Sequence, residues 1–209
     1  MPNPWLAIPA DDYLGHMASP EVGQHQALNR ILRDVLVRVR PSSVLALGCS
    51  TGNGLEHTDP SVTTRVVGVD VNPVYLARLR QRFPRPAFTL ETHSADLAAY
   101  EFEPGAFDLV HAALVFEYVE WPRLLGRVAP ALRAEGVLSV VLQVPSSSSP
   151  AVTPTAFTSL RSLESIFRFV VPDVLVAEAA ARGLAVESRR TEPLPSGKAF
   201  EVLRFAKRG

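Results

Sequence analysis

A chain of 209 residues with 47% apolar content can bury the core of one moderate domain, which excludes wholesale disorder. Lys+Arg and Asp+Glu stand at 21 each, a formal net charge of zero that argues against a dedicated nucleic-acid binder. Cys49 is the only cysteine, so no intrachain disulfide or cysteine metal cluster can form, and no metal site is expected.

Residues 1–20 carry Pro2, Pro4, Pro9 and Pro20 without a clear period and read as an N-terminal arm. From 21 to 40 the pattern turns helical, with Leu28, Ile31, Leu32, Val35, Leu36 and Val39 on one face until Pro41 ends it. Val44-Leu-Ala-Leu47 is a short buried strand, and Gly48, Gly52 and Gly54 then suggest a tight turn feeding a helix, whose first N–H groups would point at a ligand. Arg65–Asp70 reads as a second strand ending in an acid. Asn72-Pro73 caps a helix over 73–83, and 87–92 forms a third, shorter strand followed by Asp96. The nearly continuous apolar stretch 107–116 suits a parallel strand covered on both faces. A helix at 121–132 leads to a further strand at 137–144. Residues 145–157, with the serine run 146–149, read as a flexible loop and candidate lid. Helices are expected at 158–169 and 173–182, then strands at 184–191 and 199–206. The link between these last two is too short for a crossover helix, so they should be antiparallel.

In an open α/β sheet, ligands sit at the carboxyl ends of the strands. The loop from Gly48, Asp70 at the end of the second strand and Asp96 after the third would therefore converge on one crevice. Asp70 is placed to accept hydrogen bonds from a ribose diol. That much fits a nicotinamide dinucleotide or another adenosine-bearing cofactor.

Val44-Leu-Ala-Leu-Gly-Cys-Ser-Thr-Gly52 resembles the V-L-D-L-G-C-G-T-G motif of the class I S-adenosylmethionine-dependent methyltransferases. Val67-Gly-Val-Asp70, Ser94-Ala-Asp96-Leu97, Phe107-Asp-Leu-Val110 and Leu132-Arg-Ala-Glu-Gly-Val-Leu138 resemble the same family's later motifs in order, over roughly residues 40–207. The closing antiparallel pair matches the family's reversed seventh strand. The resemblance implies an α/β fold: a three-layer α/β/α sandwich with a mostly parallel seven-stranded sheet and a reversed last strand. It implies a single methyltransferase-like domain over 1–209. The implied cofactor is S-adenosyl-L-methionine, with S-adenosyl-L-homocysteine as product. Gly48, Cys49, Ser50 and Gly52 would wrap its methionine part. Asp70 would bind the ribose with Val71 beside the adenine. Asp96 and Leu97 would meet the adenine, and Ala113 would lie near the sulfonium.

Two positions depart from the family pattern: Ala46 replaces the usual acid, and Ser50 the usual middle glycine. Tyr13 and His16 on the arm are candidates to close over the cofactor or the acceptor. Glu117 and Tyr118, just past the fourth strand, are candidates for catalysis together with His16. Cys49 reads as a wall residue and His111 as a core histidine. The functional expectation is methyl transfer to a small-molecule acceptor, the alternative being a protein that binds the cofactor without transferring methyl. No apolar run is long enough to cross a bilayer and residues 1–5 lack a signal-peptide pattern, so a cytoplasmic location is expected, with no membrane partner. The oligomeric state is open, a homodimer included.

Overall fold

The structure, a computed structural model, describes residues 3–145 and 150–208; the serine run 146–149 lies outside the described residues. Seven strands form one sheet: β1 (Ser43–Leu47), β2 (Arg65–Asp70), β3 (Thr89–Ser94), β4 (Phe107–Ala113), β5 (Leu132–Gln143), β6 (Leu184–Pro193) and β7 (Ala199–Lys207). Their order is β3-β2-β1-β4-β5-β7-β6. Strands β1 to β5 pair in parallel, and β7 runs antiparallel to both β5 and β6. The reversed strand follows from the short link, which can turn the chain back but not cross the sheet.

Alternation within β1 sets the layers. Val44 packs with Leu32, Val35 and Leu36 of α2 (Gln24–Val39) and Leu79 of α3 (Pro73–Arg82). Leu45 and Leu47 face the other side, toward Leu124, Leu125 and Val128 of α4 (Trp121–Val128) and Leu175 and Ala179 of α5 (Pro172–Ala180). The burial of each such leucine or valine contributes roughly 1.5–3 kcal/mol. The result is the expected three-layer α/β/α sandwich.

Five local expectations need correction. The N-terminal segment is not an unstructured arm: a 3-10 turn, Pro4–Ala7, precedes α1 (Ala10–Ala18), and Ile8, Ala10, His16 and Met17 are buried. Pro4 and Pro9 sit at N-terminal helix positions, where the missing N–H costs nothing and the fixed φ starts a turn instead of breaking one. No α-helix follows the glycine loop; only a 3-10 turn, Leu55–His57, fits before Pro60, and α2 covers that face of the sheet. The helix expected at 121–132 stops at Val128, because Pro130 cannot donate, and β5 begins at Leu132, five residues early. Residues Thr158–Ser165 form a 3-10 rather than an α-helix. There the hydroxyls of Ser162 and Ser165 donate to the carbonyls of Ser159 and Ser162, at 2.8 and 2.7 Å, and compete for the backbone acceptors. The third strand, expected at 87–92, occupies Thr89–Ser94 instead, after the prolines at 84 and 86.

Candidate functional site

The carboxyl ends of β1 to β4 share one rim, and each contributes to a single large cavity. At the end of β1, Gly48 adopts φ +58°, and a Cβ there would lie 2.8 Å from Val115 Cγ2. Only glycine meets both demands. Ser50 takes φ +50° in the same loop, so the chain keeps the left-handed turn of the usual glycine without having one. That conformation costs a serine roughly 1–2 kcal/mol, and it aims the Ser50 amide inward.

The Asp70 carboxylate, 7% exposed, receives that amide: Ser50 N–H donates to Oδ2 at 2.8 Å, and Asn72 N–H donates to Oδ1 at 2.8 Å. Burial raises the Asp70 pKa, while the two backbone donors pull against that rise. Each oxygen still has a lone pair for a ligand hydroxyl. Asn72 then caps α3 through Val74 N at 2.9 Å, and its side-chain amide donates to Trp5 O, also at 2.9 Å. The acid, the helix start and the N-terminal segment are thus one hydrogen-bonded unit.

Beyond β3, Asp96 is exposed on the rim and accepts from Ala98 N at 2.8 Å. Leu97 is buried, and Arg127 of α4 fixes this turn by donating to Leu97 O at 3.0 Å. At the end of β4, Ala113 and Leu114 line the cavity, Leu114 with φ +54°. A leucine held left-handed at a cavity wall is strain kept in place by its surroundings, here by its N–H donating to Val141 O at 2.9 Å.

The N-terminal segment closes the top. Trp5 packs edge-on against Tyr13 at 6.2 Å and Tyr118 at 5.1 Å, and Tyr13 lies 5.1 Å from Tyr75. Burial pushes the Tyr13 pKa up to about 12, so its hydroxyl stays protonated beside Asp70. His16 is buried with Nδ1 2.9 Å from Thr155 Oγ1; burial, then the nearby Lys198, lower its pKa and keep the ring neutral at pH 7. Ser159 Oγ donates to Asp12 at 2.6 Å, and Arg78 pairs with Asp11 at 3.0 Å, so the cap bridges α3 and the 150–167 segment.

Of the residues expected at the site, Tyr13, His16, Gly48, Ser50, Asp70, Val71, Asp96, Leu97, Ala113 and Tyr118 all line this cavity. Cys49 and Gly52 do not; they line a smaller adjoining pocket with Ala46 and His111. Burial raises the Cys49 pKa well above that of a free thiol, which fits a wall residue rather than a nucleophile. His111 is a core histidine, its Nδ1 3.1 Å from Ser139 Oγ and its pKa lowered by burial to about 4.

Glu117 needs the largest correction. It is 1% exposed and absent from the cavity lining; its Oε1 accepts from Gln143 N at 2.7 Å, while Oε2 has no partner. The 3-10 turn Phe116–Tyr118 points this carboxyl back at the end of β5, and burial raises its pKa to about 7. It braces a wall and cannot touch a substrate in the cavity. Sequence reasoning also missed Tyr75, Gln24, Gln143 and Phe167, which line the cavity. An aromatic in the first turn of the helix after Asp70 was a readable signal for Tyr75; the others had none.

The residues fit an adenosine-bearing group. Ser50 Oγ and Tyr75 Oη, both on the cavity wall, are buried without a partner in hydrogen-bonding geometry, a rare condition unless a ligand supplies one. The space, including its open mouth, is about 1090 Å³. Residues 44–136 match the family model described as a methyltransferase domain. That segment carries the glycine loop, Asp70 and Asp96, so the family match and the cavity fall on the same part of the chain. The chain is 34% identical over 116 residues to trans-aconitate 2-methyltransferase from Methylobacterium radiotolerans, a match covering 51% of the chain and 41% of that relative. It thus spans about two fifths of the length of that curated relative. In fold it is similar to the Burkholderia thailandensis 1,6-didemethyltoxoflavin-N1-methyltransferase, crystallised with 1,6-didemethyltoxoflavin and S-adenosylhomocysteine (TM-score 0.69, 17% identity, 100% of this chain and 91% of that one). It is similar as well to the [4+2]-cyclase SpnF (TM-score 0.68, 14% identity, 88% and 82% covered). Among the described residues, no helix is long and apolar enough to cross a membrane, and no cluster of His, Cys, Asp or Glu could hold a metal ion.

Proposed function

We propose that the chain, as one methyltransferase-like domain, binds S-adenosylmethionine and transfers its methyl group in line to a small-molecule acceptor. The observation that carries this reading is the buried Asp70 carboxylate at the end of β2, held by two backbone amides on the wall of a cavity that also presents two unpartnered hydroxyls. When bound, the cofactor supplies an electrophilic methyl on a sulfonium. Asp70 accepts from the ribose diol, and Asp96 and Leu97 meet the adenine. The Gly48–Gly52 turn receives the amino-acid end. Ala113 and Leu114 wall the space beside the reacting carbon, and Tyr118 packs against the acceptor. The cap formed by residues 3–18 excludes water. Positioning of this kind contributes up to about 7–11 kcal/mol. His16, neutral and buried, can take a proton from an acceptor that must lose one, an effect worth roughly 10²–10⁴-fold.

Calorimetry with S-adenosylmethionine and S-adenosylhomocysteine tests binding, and transfer of radiolabelled methyl to a metabolite panel tests turnover. Micromolar affinity with transfer is the expected result; no binding of either compound overturns the reading. His16→Asn should lower kcat by about 10²-fold while the S-adenosylhomocysteine affinity holds.

A second reading, binding without transfer, is favoured by one observation. Ala46 stands where the family pattern has an acid, and among the described residues no carboxylate lines the adjoining pocket that Ala46 faces. The fold's likeness to a protein named as a cyclase agrees with it. Tight binding with no transfer to any acceptor would decide for this alternative.

A further inference from the structure

We infer that the acceptor is an uncharged planar aromatic or heteroaromatic molecule, seated against the aromatic wall of Trp5, Tyr118 and Phe167. The inference rests on the proposed function for the word acceptor, but its physical basis is the aromatic wall of the cavity, beyond the ring of Tyr13. Tyr118 meets Trp5 at 5.1 Å and 80°, and Phe167 at 5.4 Å and 76°, so three edge-to-face rings make one continuous wall. Met17, Leu160 and Leu163 add aliphatic lining. A flat π-system gains dispersion and edge-to-face contact on such a surface, and an aliphatic polyanion gains neither.

Charge points the same way. Among the described residues, no arginine or lysine lines the cavity. The polar side chains among the lining residues here include the His16 ring, the Tyr118 hydroxyl, the Trp5 indole, the Gln24 and Gln143 amides and Thr153. Gln143 is already committed, donating to Ala151 O at 2.9 Å and accepting from Gln24 at 3.4 Å. Thr153 Oγ1 is buried on the wall without a partner and is one group left for an acceptor's hydrogen-bonding edge. The buried cation Lys198 is near His16 but is not part of the lining; its Nζ donates to Ala151 O at 2.9 Å and props the 150–157 segment. Asp70 and Asp96, the only carboxylates on the cavity among the described residues, would repel an anion. A carboxylated acceptor entering here would lose its hydration and find no partner.

The test is calorimetric titration of the full chain saturated with S-adenosylhomocysteine, using a matched pair of probes, 2-naphthol and 6-hydroxy-2-naphthoic acid, with trans-aconitate as a non-aromatic polyanion. The neutral naphthol should bind at least about 10-fold more tightly than its carboxylate partner, and trans-aconitate should not compete. Phe167→Ala should weaken naphthol about 10-fold with the S-adenosylhomocysteine affinity unchanged, and Gln24→Lys should reverse the preference within the pair. An equal or reversed ratio in the unaltered chain, competition by trans-aconitate, or no naphthol binding below about 1 mM overturns the inference. If S-adenosylhomocysteine itself does not bind, the proposed function fails, and the same titration without it still reads the ratio that decides this inference.

Discussion

The two ends of the cavity are built by different means. At the Asp70 end most contributors sit at or just past a parallel strand, between Gly48 and Leu97, with Tyr13 of α1 laid over them, and backbone amides hold the buried acid. At the other end the contributors come from residues 5–24 and 118–167, joined across the molecule by ring contacts and side-chain hydrogen bonds. The first end is set by sheet register, which leaves little freedom to the side chains around it. The second is set by packing among excursions from the sheet, where one changed ring alters the shape. A binding requirement shared by a whole family belongs at the first end, and individual specificity at the second.

Four measurements would break or sharpen this contrast. The largest effect is expected for Asp70→Ala, which removes the acid and both amide contacts: S-adenosylhomocysteine affinity should fall about 100-fold by calorimetry, with naphthol binding to the apo chain unchanged. An unchanged cofactor affinity would remove Asp70 from the site. The next effect is on stability. The Glu117 carboxyl keeps its proton in the folded chain up to about pH 7, whereas unfolded it ionises near 4.5. The native state therefore binds more protons between those values, and stability falls as pH rises through that window, levelling off above it. The loss is of the order of 2–3 kcal/mol, and Glu117→Gln should remove it; urea midpoints of both chains at pH 5 and pH 8 check this. Parallel slopes for the two chains would show that Glu117 does not govern the end of β5.

Asp96→Ala should weaken cofactor binding by only about three- to tenfold, because this carboxylate is solvated and its charge is screened where that of Asp70 is not. Equal effects at Asp70 and Asp96 would contradict the buried-acid reading. The smallest effect concerns two residues with the same strain and different surroundings. Ser50, φ +50°, and Glu135, φ +62°, are both non-glycine residues held in the left-handed region that favours glycine. Glu135→Gly, on the exposed side of β5, should raise stability by about 0.5–1 kcal/mol in urea denaturation. Ser50→Gly should stabilise similarly yet weaken cofactor binding a few-fold, because the unpartnered hydroxyl is lost.

The fold was largely legible because its determinants are local and repetitive. Apolar runs such as Val137–Val141 admit one reading, and the short link after β6 forces the reversal of β7. The residues gathered around Asp70 were legible for the same reason: a strand end is found wherever a strand is found. The rest was hidden by scale and distance. A nine-residue α1 is too short to display a period, and serine hydroxyls that bond back to the main chain leave no hydrophobic pattern when they turn an α-helix into a 3-10 segment. Glu117 shows a third reason. Its position after β4 was read correctly, but the direction of its side chain depended on the three-residue turn that carries it. Phe167 and Gln24 are 143 positions apart, and nothing in either neighbourhood announces that they share a wall.

The N-terminal cap has one more consequence, for kinetics. Its ties reach partners 67 positions away at Asn72 and Arg78, 139 at Thr155 and 147 at Ser159. Contacts of such span form late, after the sheet that presents their partners, and the cap buries few large side chains of its own. It is therefore the part expected to detach first, as a sub-global opening that leaves β1 to β5 intact. Amide hydrogen exchange should read this as fast exchange over residues 10–18 against a protected sheet, slowing once S-adenosylhomocysteine bridges the two. The traffic of ligands into the cavity would then be limited by a local unfolding step rather than by diffusion to an open mouth.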